Sequence, residues 1–160
     1  MKYFYNYLKN LGDKEIHVYI DMDGVVADYD VTSYEKHKHE KDVYLTKRPI
    51  KTSIEILREV AKLENVKLYI LSVSRYNIQV DGKIKWLKDN MEYIKEENIN
   101  IIPKEKNEFK SAALLKKEFL KDKVDQSAIN IMIDDSHQVL DVIYELNMDI
   151  IPLHITSILD

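Results

Sequence analysis

Five short runs rich in Ile, Val, Leu and Tyr, at 16–20, 66–71, 99–102, 129–133 and 150–153, alternate with longer segments whose apolar residues recur at helical spacing. This alternation constrains the fold more than any other feature, because strands separated by helices favour a parallel sheet covered on both faces. Ile50, Ile54, Leu57, Val60, Ala61 and Leu63 mark one helix, and Ile84, Trp86, Leu87, Met91 and Ile94 a second. A third covers 109–120, and Val139, Leu140, Val142, Ile143 and Leu146 mark the last. The expectation is an α/β fold with a doubly wound, Rossmann-like parallel sheet and right-handed crossovers. The aromatic-rich first dozen residues predict a helix packed on the side of the sheet. Residues 29–48 are polar, rich in Tyr, Lys and His, and end at Arg48-Pro49; they read as a connecting loop or a very small subdomain. At 160 residues the chain is the size of one domain, 1–160.

The chemistry-bearing residues cluster where the strands end. The first run stops at Asp21-Met22-Asp23-Gly24, the second at Ser72, and the fourth at Asp134-Asp135-Ser136. In a parallel sheet these ends open on one edge, where ligands of open α/β sheets bind. Carboxylates at i and i+2 of an extended strand point the same way, and Gly24 permits the turn that brings both to one small volume. Carboxylates converging without a fixed basic partner favour a hard divalent cation such as Mg²⁺, whose shell a phosphate oxygen can complete. Ser72 offers a hydroxyl to the phosphate. A lysine from the segment 104–110 would neutralise further charge; Lys104, Lys106 and Lys110 are candidates, with Lys110 favoured because it opens the third helix and Lys106 second.

Asp21-Met22-Asp23-Gly24-Val25-Val26-Ala27-Asp28, Ser72 after an apolar strand, a downstream lysine and Ile133-Asp134-Asp135 resemble the four ordered motifs of the haloacid dehalogenase (HAD) superfamily over roughly 16–153. The first motif, with Lys85-Trp86-Leu87, is most similar to the 5'(3')-deoxyribonucleotidase-like branch. The resemblance implies a HAD-like phosphatase, a metal-binding hydrolase of phosphate monoesters. In it Asp21 is the nucleophile that becomes an aspartyl phosphate, and Asp23 is general acid and then base. It also implies Mg²⁺ held by Asp21, the main-chain carbonyl of Asp23 and Asp135, with Asp134 in support. An aspartate at the second position argues for ester hydrolysis over dehalogenation. Nucleotidases of that branch insert a larger helical cap where this chain has only residues 29–48, so the expected cap is minimal or missing and the site open.

Composition narrows the partners. The chain has no cysteine, which removes disulfides, thiolate metal sites and a cysteine nucleophile. The net charge of -4 gives no global attraction to nucleic acid. No apolar run reaches membrane-spanning length, and the first residues lack a signal-peptide cleavage site, so a cytoplasmic protein without membrane association is expected. A phosphorylated small molecule such as a nucleotide is the favoured substrate, ahead of a macromolecule; a protein or polynucleotide phosphatase with an open site, a weakly catalytic phosphate-binding protein and a homo-oligomer are left open. His37 and His39 read as a solvated loop, Trp86 as core, Lys116-Lys117 as a solvated helix face, and Arg75-Tyr76 as either a substrate contact or plain surface.

Overall fold

The computed structural model describes residues 2–105, 109–146 and 148–159. Helix α1 (Lys2–Asn10) precedes strand β1 (Ile16–Ile20), and a short helix α2 (Val31–His37) follows. Then come α3 (Lys51–Val60), β2 (Val66–Ser74), α4 (Val80–Asn90), β3 (Ile99–Pro103), α5 (Ala112–Lys123), β4 (Ile129–Asp134), α6 (His137–Tyr144) and β5 (Ile150–His154). The five strands form one sheet in the order β3-β2-β1-β4-β5, and every pairing is parallel.

β1 lies in the middle of the sheet, and all five of its residues are buried. Successive side chains of a strand point to opposite faces. Ile16, Val18 and Ile20 therefore join one core with Phe4 and Leu8 of α1, Ile54 and Leu57 of α3 and Trp86 of α4. Tyr19 joins the other with Ala113 and Leu120 of α5 and Val139 and Ile143 of α6. The crossovers β1-α3-β2 and β2-α4-β3 thus cover one face, and β3-α5-β4 and β4-α6-β5 the other. That is the doubly wound arrangement, with the winding reversing between β1 and β4. The helix expected over the first dozen residues is α1, and its Phe4 and Leu8, four apart, seat it on the first face.

The structure corrects two boundaries. β2 runs to Ser74, beyond the expected end at 71, because Ser72, Val73 and Ser74 stand opposite Ile101, Ile102 and Pro103 of β3. Ser72 is therefore inside a strand. Helix α5 starts at Ala112, where the Ser111 hydroxyl accepts a hydrogen bond from the Leu114 N–H, so Phe109 and Lys110 precede it. Residues 29–48 are a small folded insert: α2, capped by Asp30, followed by a single 3-10 turn at Val43–Thr46.

Both ends of the insert are tied at one point. Asp28 N–H donates to Arg48 O and Ile50 N–H to Val26 O, each at 2.8 Å. Further bonds fasten it to the core: the Tyr34 hydroxyl reaches Gln79 at 3.3 Å, the Gln79 amide donates to Lys38 O, and the Trp86 indole N–H donates to Lys47 O at 2.9 Å. Trp86 is thus core, as expected, and also anchors the insert. Because β1 organises both faces, Ile20→Ala, at a site with no exposure, should cost about 3 kcal/mol through lost burial and a residual cavity. Urea unfolding checks this, and a loss under about 1 kcal/mol would contradict the central placement of β1.

Candidate active site

The backbone brings the aspartates together before any side chain does so. Asp21 N–H donates to Ile133 O at 3.0 Å, extending the β1–β4 ladder by one step and setting Asp21 beside Asp134 at the point where the winding reverses. Single carboxylate oxygens of Asp21, Asp134 and Asp135 lie within 4.8 Å of one another. Asp134 is fully buried and fixed through both oxygens: Oδ1 accepts the Ser136 N–H at 2.9 Å and Oδ2 accepts from Lys116 Nζ at 2.6 Å. Lys116 also stands 2.9 Å from Asp21 Oδ1, bridging the first and last motifs.

Gly24 makes room for Asp135. Its φ is +77°, in the left-handed region, and a Cβ built on it would fall 2.1 Å from Asp135 Oδ2. The turn expected from this glycine is present, and so is a second requirement that the sequence did not reveal, the close approach of a carboxylate.

Asp23 faces a different set of partners. Its Oδ2 accepts from Lys83 Nζ at 2.7 Å and from the Tyr44 hydroxyl at 3.2 Å, and its Oδ1 accepts from Lys47 Nζ at 2.9 Å. Lys83 is fully buried and also donates to Ser72 Oγ at 3.0 Å and Val73 O at 2.9 Å. Ser72 is therefore tied to Asp23 through a shared lysine.

The electrostatics separate the two groups. Burial raises the Asp23 carboxyl, but the charges of Lys83 and Lys47 outweigh it and hold the group at about 2. Asp134 and Asp135 are both raised, by burial first and then by the charge of Asp21. Lys116 is pulled down by burial but raised on balance by Asp21 and Asp134. Strain among like charges on one side and surplus cation on the other is the pattern expected where a cation is to bind at Asp21, Asp134 and Asp135. The donor set fits: all of its atoms are carboxylate oxygens, suited to a hard divalent ion, and Gly24 leaves Asp135 free to approach.

The sequence expectations are thus met unevenly. Asp21, Asp134 and Asp135 converge, and Asp23 and Ser72 lie beside them. Lys110, the favoured phosphate-site lysine, instead forms an exposed ion pair with Glu118 at 2.8 Å, and Lys106 lies outside the described residues. The lysine between Asp21 and Asp134 is Lys116, which had been read as a solvated helix face. The signal was present: Lys116 falls between Ala113 and Leu120 on the buried stripe of α5, as Lys83 precedes Trp86 and Leu87 by three and four on α4. Lys47 and Tyr44 had no such signal, because they come from the insert.

No protein-family model matches the chain, and no curated protein matches it in sequence. Among solved structures, 17 chains match in fold. One belongs to the "Structure of the Pnkp1/Rnl/Hen1 RNA repair complex", with a TM-score of 0.63 and 17% identity over 88% of this chain. This chain spans 43% of the length of that one, and the likeness is one of fold. No described helix is long and apolar enough to cross a membrane.

Removing Lys83 would leave Asp23 half-paired and two further buried acceptors without a donor. Lys83→Met should therefore destabilise the protein by about 3 kcal/mol. Adding Asp23→Asn should recover part of that loss, since the stranded charge is then gone. A double-mutant cycle in urea measures the coupling, and strictly additive losses would show the pair to be energetically idle.

Proposed function

We propose that the protein is a Mg²⁺-dependent phosphate monoester hydrolase of the HAD type, working through an aspartyl phosphate on Asp21. The observation that carries the proposal is the convergence of Asp21, Asp134 and Asp135 around one small volume, with Lys116 bridging Asp21 and Asp134 at 2.9 and 2.6 Å. An ordinary structural ion pair needs one carboxylate per lysine; here one lysine bridges two, and a third carboxylate, Asp135, converges on them.

In this reading Asp21, Asp135 and the main-chain carbonyl of Asp23 hold the cation, and Asp134 keeps Lys116 in place. The bound ion would neutralise phosphate charge and relieve repulsion between the ester and the Asp21 nucleophile. Asp21 attacks phosphorus with its free oxygen. As that O–P bond forms, the ester P–O bond breaks and its electron pair passes to the leaving oxygen, which takes a proton from Asp23 and departs as an alcohol. Water then attacks the phosphorus, gives its proton to the Asp23 carboxylate, and releases inorganic phosphate and Asp21. A lysine has three N–H donors, and Lys116 uses two on Asp21 and Asp134, so the third is available to a phosphate oxygen. Ser72 presents its hydroxyl from within β2.

Asp23 is ionised in the free protein, held there by Lys83 and Lys47. The proton it passes on therefore enters with the substrate, as the monoanionic ester. The second ionisation of a phosphate monoester lies near ~6, so kcat/KM should decline as pH rises through that value.

A nucleotide is the first substrate class, from the resemblance of the motifs. The phosphorylated end of a nucleic acid is the second. It is favoured by the fold shared with a chain of an RNA repair complex and by an insert too small to close over a nucleoside.

Phosphate release from p-nitrophenyl phosphate, 5'- and 3'-nucleotides, sugar phosphates and a 3'-phosphorylated oligonucleotide should require Mg²⁺, stop with EDTA and vanish in Asp21→Asn. Lys116→Met should lower kcat by about 100-fold or more. Turnover surviving in Asp21→Asn would refute the phosphoenzyme. A well-folded wild type inactive on the whole panel would favour a phosphate-binding role.

A further inference from the structure

We infer that Lys47, contributed by the insert, is a catalytic residue whose ammonium binds the leaving-group oxygen of the ester. The inference rests on the hydrolase reading above and adds a residue that neither the sequence motifs nor that reading assigns.

Two lysines hold Asp23, and their surroundings differ. Lys83 has no exposed surface, and its three N–H donors are matched by three acceptors, Asp23 Oδ2, Ser72 Oγ and Val73 O. It is saturated and sealed, an anchor without capacity for a ligand. Lys47 makes one close bond, to Asp23 Oδ1 at 2.9 Å, and one long contact, to Asp28 O at 3.4 Å. Among the described residues it has a donor to spare.

The cation is also held where it would act. Its Nζ lies 5.0, 5.5 and 4.9 Å from the ring centroids of Tyr29, Tyr34 and Tyr44. Tyr34 and Tyr44 are buried, Tyr29 is half-exposed, and the Lys47 side chain keeps 8% of its surface exposed. Aromatic faces stabilise a cation while excluding water, which leaves its charge weakly screened toward any anion that arrives. The backbone carbonyl of Lys47 is fixed by the Trp86 indole, so the residue is anchored at both ends.

The geometry follows from what Asp23 must do. A leaving oxygen that takes a proton from Asp23 has to come within about 2.6–3.2 Å of that carboxyl. Oδ2 is already shared by Lys83 and Tyr44, which leaves Oδ1, the oxygen that Lys47 holds. The ester oxygen therefore arrives next to the Lys47 ammonium. In the reaction, the Asp21 O–P bond forms, the ester P–O bond breaks with its pair going to the ester oxygen, and the Asp23 proton moves onto that oxygen. Lys47 keeps its three protons and donates a hydrogen bond to the oxygen while its negative charge develops.

Leaving-group dependence tests this, because a merely structural lysine would affect all esters alike. p-Nitrophenolate departs readily without help, whereas an alkoxide needs it. With Lys47→Met, kcat/KM for the fastest alkyl ester of the panel should fall by about 100-fold, and for p-nitrophenyl phosphate by less than about 5-fold. Lys47→Arg should restore most of the alkyl-ester rate. Thermal unfolding of each variant checks that it folds; if Lys47→Met does not, Lys47→Arg carries the test through a smaller loss in the same direction. Equal losses on both esters would overturn the role of Lys47 while leaving the hydrolase reading intact. A wild type that turns over neither ester would overturn that reading and the role of Lys47 with it.

Discussion

Four carboxylates at one edge of a sheet have to be compensated, and the rest of the site is arranged around that need. At about 4 Å and an effective dielectric near 20, each like-charge contact costs about 4 kcal/mol. Against Asp21, Asp23, Asp134 and Asp135 the protein sets Lys47, Lys83 and Lys116, so the formal sum is one negative charge. The compensation is uneven in space. Two lysines pair with Asp23, while a single one bridges Asp21 and Asp134 beside Asp135. A divalent ion added to that second group would turn the whole site net positive, the sign that favours an anionic ligand. The imbalance is thus a property of how the lysines are distributed.

Much of this could be read from the sequence, and what could not has a physical cause. Local patterns gave the five strands and the edge at which Asp21, Asp23, Asp134 and Asp135 meet, because strand composition and strand termination are encoded residue by residue. The end of β2 was misjudged, since Ser72 to Ser74 are extended by pairing with β3, and a partner strand is not a local signal. The lysines were harder. Lys116 and Lys83 occupy buried positions of helical stripes, where a long side chain runs its apolar stem through the core and delivers its charge at the sheet edge. Weighing a charged residue on an apolar stripe as a candidate would have selected both over Lys110, which stands before its helix and pairs with Glu118 on the surface.

The insert also gains definition in three dimensions. Its polar, aperiodic composition fits a loop or a very small subdomain, and two of its three aromatic residues are spent inward: Tyr34 and Tyr44 are buried, and Trp86 and Gln79 on the core side bond to its backbone. Without a helical stripe of its own to bury, so short a segment orders itself by borrowing the core's surface and the charge of Asp23. That makes it a wall of the site fixed by side-chain bonds rather than a lid swinging on a hinge.

Such an arrangement divides the chemistry between two sources. Asp21, Asp134, Lys116, Ser72 and Lys83 all come from the sheet edge and the helices packed on it and are buried, so a change in any one disturbs buried polar contacts and the fold together. Lys47 and Tyr44 come from a segment that leaves and rejoins the core at a single pair of backbone hydrogen bonds, between Asp28 and Arg48 and between Val26 and Ile50. Its exposed residues can change without altering strand register, whereas Tyr34, Val43 and Tyr44 are packed into the core. The side of the site built on Asp21, Asp134 and Lys116 is therefore tied to the stability of the protein, whereas the proposed leaving-group side around Lys47 is open to variation through the insert.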